Sequence, residues 1–213
     1  MGQDTDKIAG TYNAVAMEYA EHFHGEHQKK PLDREILSRF YQMVRGRKPI
    51  WDFGCGPGYT TLYLWNLGIE VSGLDLSGKM VERARIMHPD IIFQKGNILD
   101  LEFESGSIAG IVAFYAIVHF SQAQVKKAFH EIFRVLEPGG IFLFTFHIGD
   151  GKIHLEEFLG KAVEIDFMFF DPAFILSSIK NAGFEDVEIT ERAPYPGIEY
   201  QSSRAYVFAA KPL

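Results

Sequence analysis

This 213-residue sequence lacks cysteine pairs, long apolar runs and an N-terminal targeting segment. Its only cysteine is Cys55, so no disulfide can form within the chain, which points to a reducing compartment. No apolar run approaches the roughly 20 residues that a membrane-spanning helix needs. The opening MGQDTDKIAG has neither the basic nor the apolar region of a secretory signal. These absences predict a cytoplasmic protein with no membrane partner.

Basic residues are also few and scattered. Lysine and arginine total 21 against 28 acidic residues, which gives a formal net charge of −7. Proteins that bind nucleic acid without sequence specificity depend on clustered positive charge to displace phosphate counterions. The densest basic group here is RGRK at Arg45 to Lys48, which we interpret as a solvated turn. The charge pattern therefore predicts no nucleic-acid partner.

Strand-like and helix-like segments alternate from residue 49 onward. Five apolar runs predict buried strands: PIWDF, IEVSGLD, IIFQK, IAGIVAFY and GIFLFTFH. Helices are predicted over Tyr59–Asn66, from Ser77 to Ile86, after Ser121 and from Asp171 to Gly183. FEDVEITER and RAYVFAAK then alternate in polarity like an antiparallel pair at a sheet edge. This order predicts an α/β fold with a doubly wound, mostly parallel seven-stranded sheet and an antiparallel C-terminal strand.

Two helical segments precede the first predicted strand. One runs from Thr11 to His24 with apolar and aromatic residues at helical spacing. The other begins near Pro31 and ends at Gly46. We expect residues 1–48 to form a helical cap on a core of residues 49–213 within one domain.

Three glycines, Gly54, Gly56 and Gly58, lie between the first predicted strand and the next helix. Each glycine loses conformational entropy on folding, so the bare backbone must allow something that a side chain would obstruct. A strand, a glycine turn and a helix N-terminus bring backbone N–H groups together for a phosphate or a carboxylate. Doubly wound folds bind ligands beyond the carboxyl ends of their strands. The loop therefore predicts a ligand site.

The residues around the loop narrow the choice of ligand. The dinucleotide fingerprint G-x-G-x-x-G needs a small sixth residue, and this chain has Tyr59 there. An NAD(P)-dependent oxidoreductase is therefore a disfavoured alternative, and the Walker pattern is absent because no Gly-Lys-Ser/Thr follows. Asp75 ends the second predicted strand, where a carboxylate can accept hydrogen bonds from both hydroxyls of a ribose. Together these features predict an adenosine ligand without a pyrophosphate.

The same segments resemble the class I S-adenosylmethionine-dependent methyltransferases of small-molecule type, whose fold is Rossmann-like. IWDFGCGPG is similar to the family's first motif, and VSGLDLSGKMVERAR to its ribose-binding strand end and following helix. FQKGNILDLEF is similar to the adenine segment, and IVAFYAIVHF and RVLEPGGIFLFTF to the fourth-strand and fifth-strand motifs. YNAVAMEYA resembles the helix that caps the cofactor. The resemblance covers nearly the whole chain and implies S-adenosylmethionine as cofactor and S-adenosylhomocysteine as product.

The resemblance also implies a role for each matching position. The glycine loop should approach the methionine moiety, Asp52 should orient its ammonium group, and Asp75 should hold the ribose. Asn97 stands where many relatives have aspartate, and its amide offers a donor as well as an acceptor to the adenine. The implied cofactor residues are Tyr12, Tyr19, Asp52, Gly54, Cys55, Gly56, Pro57, Gly58, Asp75, Leu76, Met80, Asn97, Ile98, Phe114 and Tyr115.

Two residues are candidates for catalysis. His119 follows the fourth predicted strand on the cofactor side and is the candidate general base, since a base with a pKa near neutral helps to deprotonate an acceptor. The alternative is a histidine that orders its loop. Tyr115 is the second candidate, in contact with the acceptor or with the cofactor carboxylate. His147 is a weaker candidate base at the end of the fifth predicted strand.

The acceptor pocket has no motif of its own, and several interpretations stay open. Phe167, Phe169 and Phe170 in the segment 151–170 either wall the pocket or belong to the core. The loop APYPGIEYQSSR offers further side chains, Tyr195, Tyr200 and Arg204, which either face the substrate or form a hairpin. His22, His24 and His27 in HFHGEH do not converge at a metal-ligand spacing, so we predict no metal.

We therefore predict a monomeric or homodimeric enzyme that methylates an unidentified small-molecule acceptor. The main alternative is a regulatory module that binds S-adenosylmethionine or S-adenosylhomocysteine without catalysis.

Overall fold

A computed structural model describes residues 4–213, so the first three residues of the predicted cap lie outside the described residues. The helices are α1 (Thr5–His22), α2 (Glu26–Lys29), α3 (Pro31–Val44), α4 (Tyr59–Asn66), α5 (Gly78–Met87), α6 (Gln122–Val135) and α7 (Pro172–Asn181). The strands are β1 (Ile50–Phe53), β2 (Val71–Asp75), β3 (Phe93–Lys95), β4 (Ile108–Ala113), β5 (Leu136–His147), β6 (Lys152–Phe158), β7 (Lys161–Met168), β8 (Glu185–Arg192) and β9 (Arg204–Ala210). No helix within residues 4–213 combines the length and the apolar character needed to cross a membrane.

Seven strands form one sheet in the order β3-β2-β1-β4-β5-β9-β8. The first five run parallel, and β9 is antiparallel to both of its neighbours. The predicted fold class is therefore confirmed, and the predicted antiparallel pair, β8 and β9, lies at one edge of the sheet, with β9 between β5 and β8. Strand order reverses between β1 and β4, and a doubly wound sheet binds its ligands at such a point.

Helices cover both faces of the sheet because side chains alternate along each strand. On β5, Phe142, Phe144 and Phe146 pack into the core cluster that includes α6 and α7. Ile141 and Leu143 pack into the opposite cluster with α3 and α4. Because β5 is buried on both faces of the sheet, its sequence contains almost no polar residue.

Most predicted elements are present, with shifted ends. Helix α1 begins at Thr5 rather than Thr11, because the Asp4 carboxylate caps it by accepting the Asp6 N–H at 3.0 Å. Strand β5 begins at Leu136, so the EPGG segment continues the strand across a register shift instead of only ending the helix.

The segment 151–170 folds into a hairpin that we did not predict. Strands β6 and β7 form a two-stranded antiparallel sheet joined by a tight turn at Leu159 and Gly160. Both turn residues have positive φ, at 52° and 76°. Glycine suits that geometry, but leucine rarely adopts it, so the sequence contained no recognisable turn signal. Ion pairs Lys7–Glu164 and Lys161–Glu18 join the hairpin to α1.

Candidate active site

A cavity of about 850 Å³ lies at the carboxyl ends of β1, β2, β4 and β5, beneath α1 and the hairpin. Its volume is at the large end of the range for ligand sites, about 300–1,000 Å³. Every residue of the cofactor set implied by the sequence lines it, except Gly58. His119 also lines the cavity. Residues far apart in the sequence therefore meet at the predicted place.

Gly54 and Gly58 are required for different reasons. Gly54 has φ +73°, and a Cβ there would lie 2.6 Å from the Ala116 Cβ. Its N–H donates to the Leu74 carbonyl at 2.7 Å, which holds the loop against β2. Gly58 has φ +87°, and a Cβ there would lie 2.8 Å from the Phe93 ring. Gly58 therefore allows the start of α4 to pack closely, and its role is in packing rather than in the cavity wall.

Asp75 connects the glycine loop to α5. One carboxylate oxygen accepts the Gly56 N–H and the other accepts the Ser77 N–H, each at 2.8 Å. Burial raises the pKa of Asp75 to about 6 and outweighs these two hydrogen bonds. Each carboxylate oxygen can accept a second hydrogen bond, so the side chain can still bind a pair of hydroxyls.

Asp52 is a buried carboxylate, 1% exposed, that also lines the cavity. It accepts a hydrogen bond from the Thr61 hydroxyl at 2.6 Å. Burial raises the pKa of Asp52 to about 7 against that hydrogen bond. A buried carboxylate held by a hydroxyl is stabilised by a cationic partner, so the site suits an ammonium group.

Aromatic side chains roof the cavity. The rings of Tyr12 and Tyr19 on α1 meet edge to face, with centroids 5.8 Å apart. Phe158 of the hairpin contacts both rings at 6.4 and 6.3 Å. Asn13 holds α1 in place, because its side-chain oxygen accepts the Ser77 hydroxyl at 2.8 Å. Phe158 was missed by sequence reasoning because the hairpin that positions it was missed.

His119 links the roof to the hairpin and is 5% exposed. Its Nδ1 lies 2.7 Å from the Asp166 carbonyl oxygen, which can only accept, so Nδ1 carries the proton. Its Nε2 then accepts the Tyr12 hydroxyl at 2.7 Å. Burial lowers the pKa of His119 to about 4, which keeps the ring neutral at physiological pH. The neutral ring can therefore accept a proton at Nε2, although a pKa of about 4 makes it a weaker base than the near-neutral one expected from the sequence.

Tyr115 has the strained φ of 54° directly after β4. Its N–H donates to the Thr145 hydroxyl at 2.8 Å. Its own hydroxyl is buried and has no hydrogen-bond partner among residues 4–213. The ring packs against His147, with centroids 5.1 Å apart. Both rings line the cavity, beside the ends of adjacent strands.

The segment expected to contact the adenine contributes the Asn97 side-chain amide, whose oxygen already accepts a hydrogen bond. The Asn97 side-chain oxygen accepts the Leu99 N–H at 2.9 Å. The amide nitrogen is a donor, so this residue offers a hydrogen where an aspartate would offer only oxygens. Ile98 beside it lines the cavity and is 7% exposed.

The structure separates the candidate acceptor residues into those that line the cavity and those that do not. Phe167 and Phe169 line the cavity, whereas Phe170 is 2% exposed within the core. Tyr200 and Arg204 also line the cavity. The remaining candidate of that loop lies elsewhere, where the Tyr195 hydroxyl accepts the Leu32 N–H at 3.2 Å.

The three histidines of HFHGEH take different neighbours. His22 packs on Phe23, His24 on Tyr59, and His27 lies 3.0 Å from the Thr60 hydroxyl through Nε2. Within residues 4–213, no group of three histidine, cysteine or acidic side chains is placed to hold a metal ion.

Comparison with known proteins agrees with this geometry. Residues 50–140 match a family model described as a methyltransferase domain. The chain is 34% identical over 111 residues to a probable S-adenosylmethionine-dependent methyltransferase of Mycolicibacterium smegmatis, covering 52% of this chain and 42% of that protein. It is 30% identical over 138 residues to a malonyl-[acyl-carrier protein] O-methyltransferase of Erwinia billingiae, covering 65% and 52%. The chain therefore spans about half the length of these curated relatives.

A solved structure shares the whole fold. The [4+2]-cyclase SpnF superposes with a TM-score of 0.76 at 17% identity, covering 100% of this chain and 98% of that one. At that identity the likeness shows the architecture alone. The family model and the sequence relatives therefore identify residues 50–140 as a methyltransferase domain, similar to a probable S-adenosylmethionine-dependent methyltransferase.

Proposed function

We propose that this chain binds S-adenosylmethionine and transfers its methyl group to a small-molecule acceptor. The observation that carries the proposal is the single cavity that joins the glycine loop, the carboxylates Asp52 and Asp75 and the aromatic roof. These groups complement an ammonium group, a ribose diol and a sulfonium with an adenine. Methyl transfer also agrees with the O-methyltransferase activity named for the Erwinia relative, whose named substrate is carried on a protein.

Each part of the cofactor has a matching partner in the cavity. Asp52 would bind the ammonium group and Asp75 the two ribose hydroxyls. The Asn97 amide nitrogen would donate to a ring nitrogen of the adenine, which inverts the pairing that an aspartate would make. The faces of Phe114 and Tyr115 would border the sulfonium, since aromatic faces attract cations.

The bound cofactor supplies a methyl group already activated on a positively charged sulfur. The protein's contribution is then to orient an acceptor and to keep water out. Holding two reactants in line contributes roughly 7–11 kcal/mol in favourable cases. Tyr12, Tyr19 and Phe158 close the roof over the cavity, and His119 accepts a proton through its Nε2 when the acceptor must lose one.

A regulatory module that binds the nucleoside without catalysis is the second candidate. The cavity argues against it, because it extends past the cofactor residues to Phe167, Phe169 and Tyr200, where an acceptor has room. A screen of small-molecule acceptors for release of S-adenosylhomocysteine tests the proposal. Turnover with any acceptor supports it, and saturable cofactor binding without turnover across a broad screen favours the module.

Replacing Asp75 with alanine is expected to weaken S-adenosylhomocysteine binding by roughly 10- to 150-fold, because a charge-assisted contact to the ribose is lost. The affinity of the variant for methylthioadenosine should fall by the same factor, since this ligand carries the same ribose. Isothermal titration of both ligands measures this. Asp90→Ala, an exposed residue of the same charge, is the control. An unchanged dissociation constant for Asp75→Ala means that the ribose binds elsewhere.

Binding should also depend on pH through Asp52. Its pKa is raised by burial to about 7, so below that pH it holds a proton that it must lose to pair with an ammonium group. The affinity for S-adenosylhomocysteine is expected to fall by up to about tenfold per unit below pH 7. Methylthioadenosine lacks the amino acid, so its affinity should stay level down to about pH 6, where Asp75 takes up its proton.

The Asp52→Asn variant tests the origin of this pH dependence. The amide oxygen can still accept the Thr61 hydroxyl, but the side chain no longer ionises. Its titration curve with S-adenosylhomocysteine should become flat between pH 6 and 8. Identical curves for the two ligands with the unmodified protein would contradict the assignment of Asp52 to the ammonium group.

A further inference from the structure

One wall of the cavity lies outside the set of cofactor residues. It is formed by Ile153 and Leu155 of β6 and Phe167 of β7, and we call these three residues the apolar wall. We propose that the acceptor is an uncharged molecule with a largely apolar body, and that this body packs against the apolar wall. This inference rests on the proposed function, because it names the substrate class of the same site.

The hairpin turns one apolar face towards the cavity because side chains alternate along its strands. On β6, Lys152 and His154 are exposed, whereas Ile153 and Leu155 are half-buried and line the cavity. Ile153 lies directly opposite Phe167 in the register of the two strands, so both side chains are on the same face. The apolar wall is therefore a continuous surface.

The apolar wall is only partly covered by the protein itself. Ile165, on β7, is fully buried, whereas Ile153, Leu155 and Phe167 are all half-buried. Apolar surface that faces a cavity is stabilised when a ligand displaces water from it. An apolar acceptor would complete the burial that the fold leaves unfinished on this side of the cavity.

The buried cations elsewhere in the cavity wall already have carboxylate partners. Lys30 pairs with Glu26 and lies 3.2 Å from the Glu199 carboxylate. The Arg204 Nε lies 3.3 Å from the same carboxylate. An anionic acceptor would lose its hydration here and would have to displace one of these carboxylates, which is costly.

The carboxylates of the cavity are committed as well. Asp33 lies 3.5 Å from Arg192, and the proposed function assigns Asp52 and Asp75 to the cofactor. Lys29 also lines the cavity, but it is exposed, so water and salt screen its charge. Among the residues that the structure describes, the buried charges of the cavity are thus paired or assigned, and this favours an acceptor without a charge of its own.

The apolar wall adjoins the candidate base. The Phe167 ring meets the His119 ring edge to face, with centroids 4.7 Å apart. The His119 Nδ1 donates to the carbonyl of Asp166, and the Met168 N–H donates to the Val118 carbonyl at 2.6 Å. These two bonds fix β7 against the loop that carries His119. A molecule packed on the apolar wall therefore lies next to the group that would accept its proton.

The test compares binding of molecules that share one carbon body and differ in charge. The protein is saturated with S-adenosylhomocysteine and then titrated at neutral pH with cinnamamide and cinnamate, and with cinnamyl alcohol and cinnamylamine. Each neutral member is expected to bind roughly tenfold or more tightly than its charged counterpart. Failure of S-adenosylhomocysteine to bind would count against the proposed function. If it binds, equal or tighter binding of the charged members, or no binding of any of the four, would overturn this inference alone.

Two variants connect the neutral molecule to the apolar wall. Leu155→Asn should weaken cinnamyl alcohol by roughly 3- to 15-fold, because part of the burial of a leucine side chain is lost. Ile153→Thr keeps a branched side chain suited to a strand and should weaken it by about 2- to 6-fold. Glu156→Gln changes an exposed residue of the same strand and is the matched control.

Thermal unfolding and the affinity for S-adenosylhomocysteine show whether each variant keeps its fold and its cofactor site. Both should stay close to those of the unmodified protein in Ile153→Thr, the milder change. Unchanged affinity for cinnamyl alcohol in the folded variants, or an equal loss in Glu156→Gln, would contradict the proposal.

Discussion

Replacing Asp33 with alanine is expected to destabilise the protein by about 3–5 kcal/mol, because the change removes one of the two buried carboxylates that neutralise Arg192. Asp33 is 1% exposed, accepts the Tyr206 hydroxyl and lies 3.5 Å from Arg192. Arg192 in turn pairs with Glu199, which also pairs with Lys30 and Arg204 in the cavity wall. The loss should therefore reach the cavity as well as the core. Urea unfolding followed by circular dichroism measures it.

The pH dependence of this contribution has a defined sign. Burial acts to raise the pKa of Asp33, but the neighbouring His27, the Tyr206 hydroxyl and the charge of Lys30 outweigh it, so the pKa is lowered. The carboxylate stabilises the fold above its ordinary pKa near 3.8, and the contribution is lost as the pH falls further. The difference between the variant and the unmodified protein should accordingly shrink in acid.

Two variants separate the buried charge from simpler effects. Tyr206→Phe removes the hydroxyl that donates to Asp33 and accepts the Arg192 Nε–H at 2.7 Å, and it should cost about 1.5–3 kcal/mol. Glu188→Ala breaks the exposed pair with Arg39 and should cost less than about 1 kcal/mol. If Asp33→Ala costs no more than Glu188→Ala, the buried carboxylate does not stabilise the fold.

Replacing His119 with alanine is expected to slow methyl transfer by about 100- to 10,000-fold if His119 acts as the general base. Its position supports that role, because Nδ1 donates to the Asp166 carbonyl and leaves the Nε2 lone pair at the Tyr12 hydroxyl. Single-turnover rates, measured with an acceptor from the screen, test the effect. Binding of S-adenosylhomocysteine should change little. His130→Ala, an exposed histidine, is the control.

A pH profile distinguishes a base from a histidine that only orders the loop. Burial lowers the pKa of His119 to about 4. The methyl-transfer rate should therefore fall as the pH drops below about 4, and this fall should be absent in His119→Ala. Tyr12→Phe shows the route of the proton. The rate falls with Tyr12→Phe if the hydroxyl relays the proton, and it is kept if Nε2 contacts the acceptor directly. A His119→Ala variant with an unchanged rate would leave only the loop-ordering role.

Sequence reasoning predicted those parts of the site that are built from local signals. The glycine loop, Asp52 and Asp75 each lie at the end of one short strand, so a single segment indicates both the strand and the position of its last residue. The parallel order of the strands then brings those ends to one edge of the sheet. The structure places all of them around one cavity, while Gly58 serves the packing of α4 instead.

The hairpin and the ion pairs of Glu199 with Lys30 and Arg204 could not be predicted in the same way. The hairpin turn places Leu159 at φ 52°, a conformation that its side chain does not favour, so no turn signal was visible. Lys30 and Arg204 are remote in the sequence and reach the same carboxylate, Glu199, only because β9 pairs with β5. Charge pairs between such distant segments leave no periodic pattern for sequence reasoning to detect.

Isothermal titration of the unmodified protein with S-adenosylhomocysteine and, separately, with NAD tests the central claim most directly. We expect saturable binding of the nucleoside thioether and no comparable heat with the dinucleotide. Tight binding of NAD with no response to S-adenosylhomocysteine would contradict it.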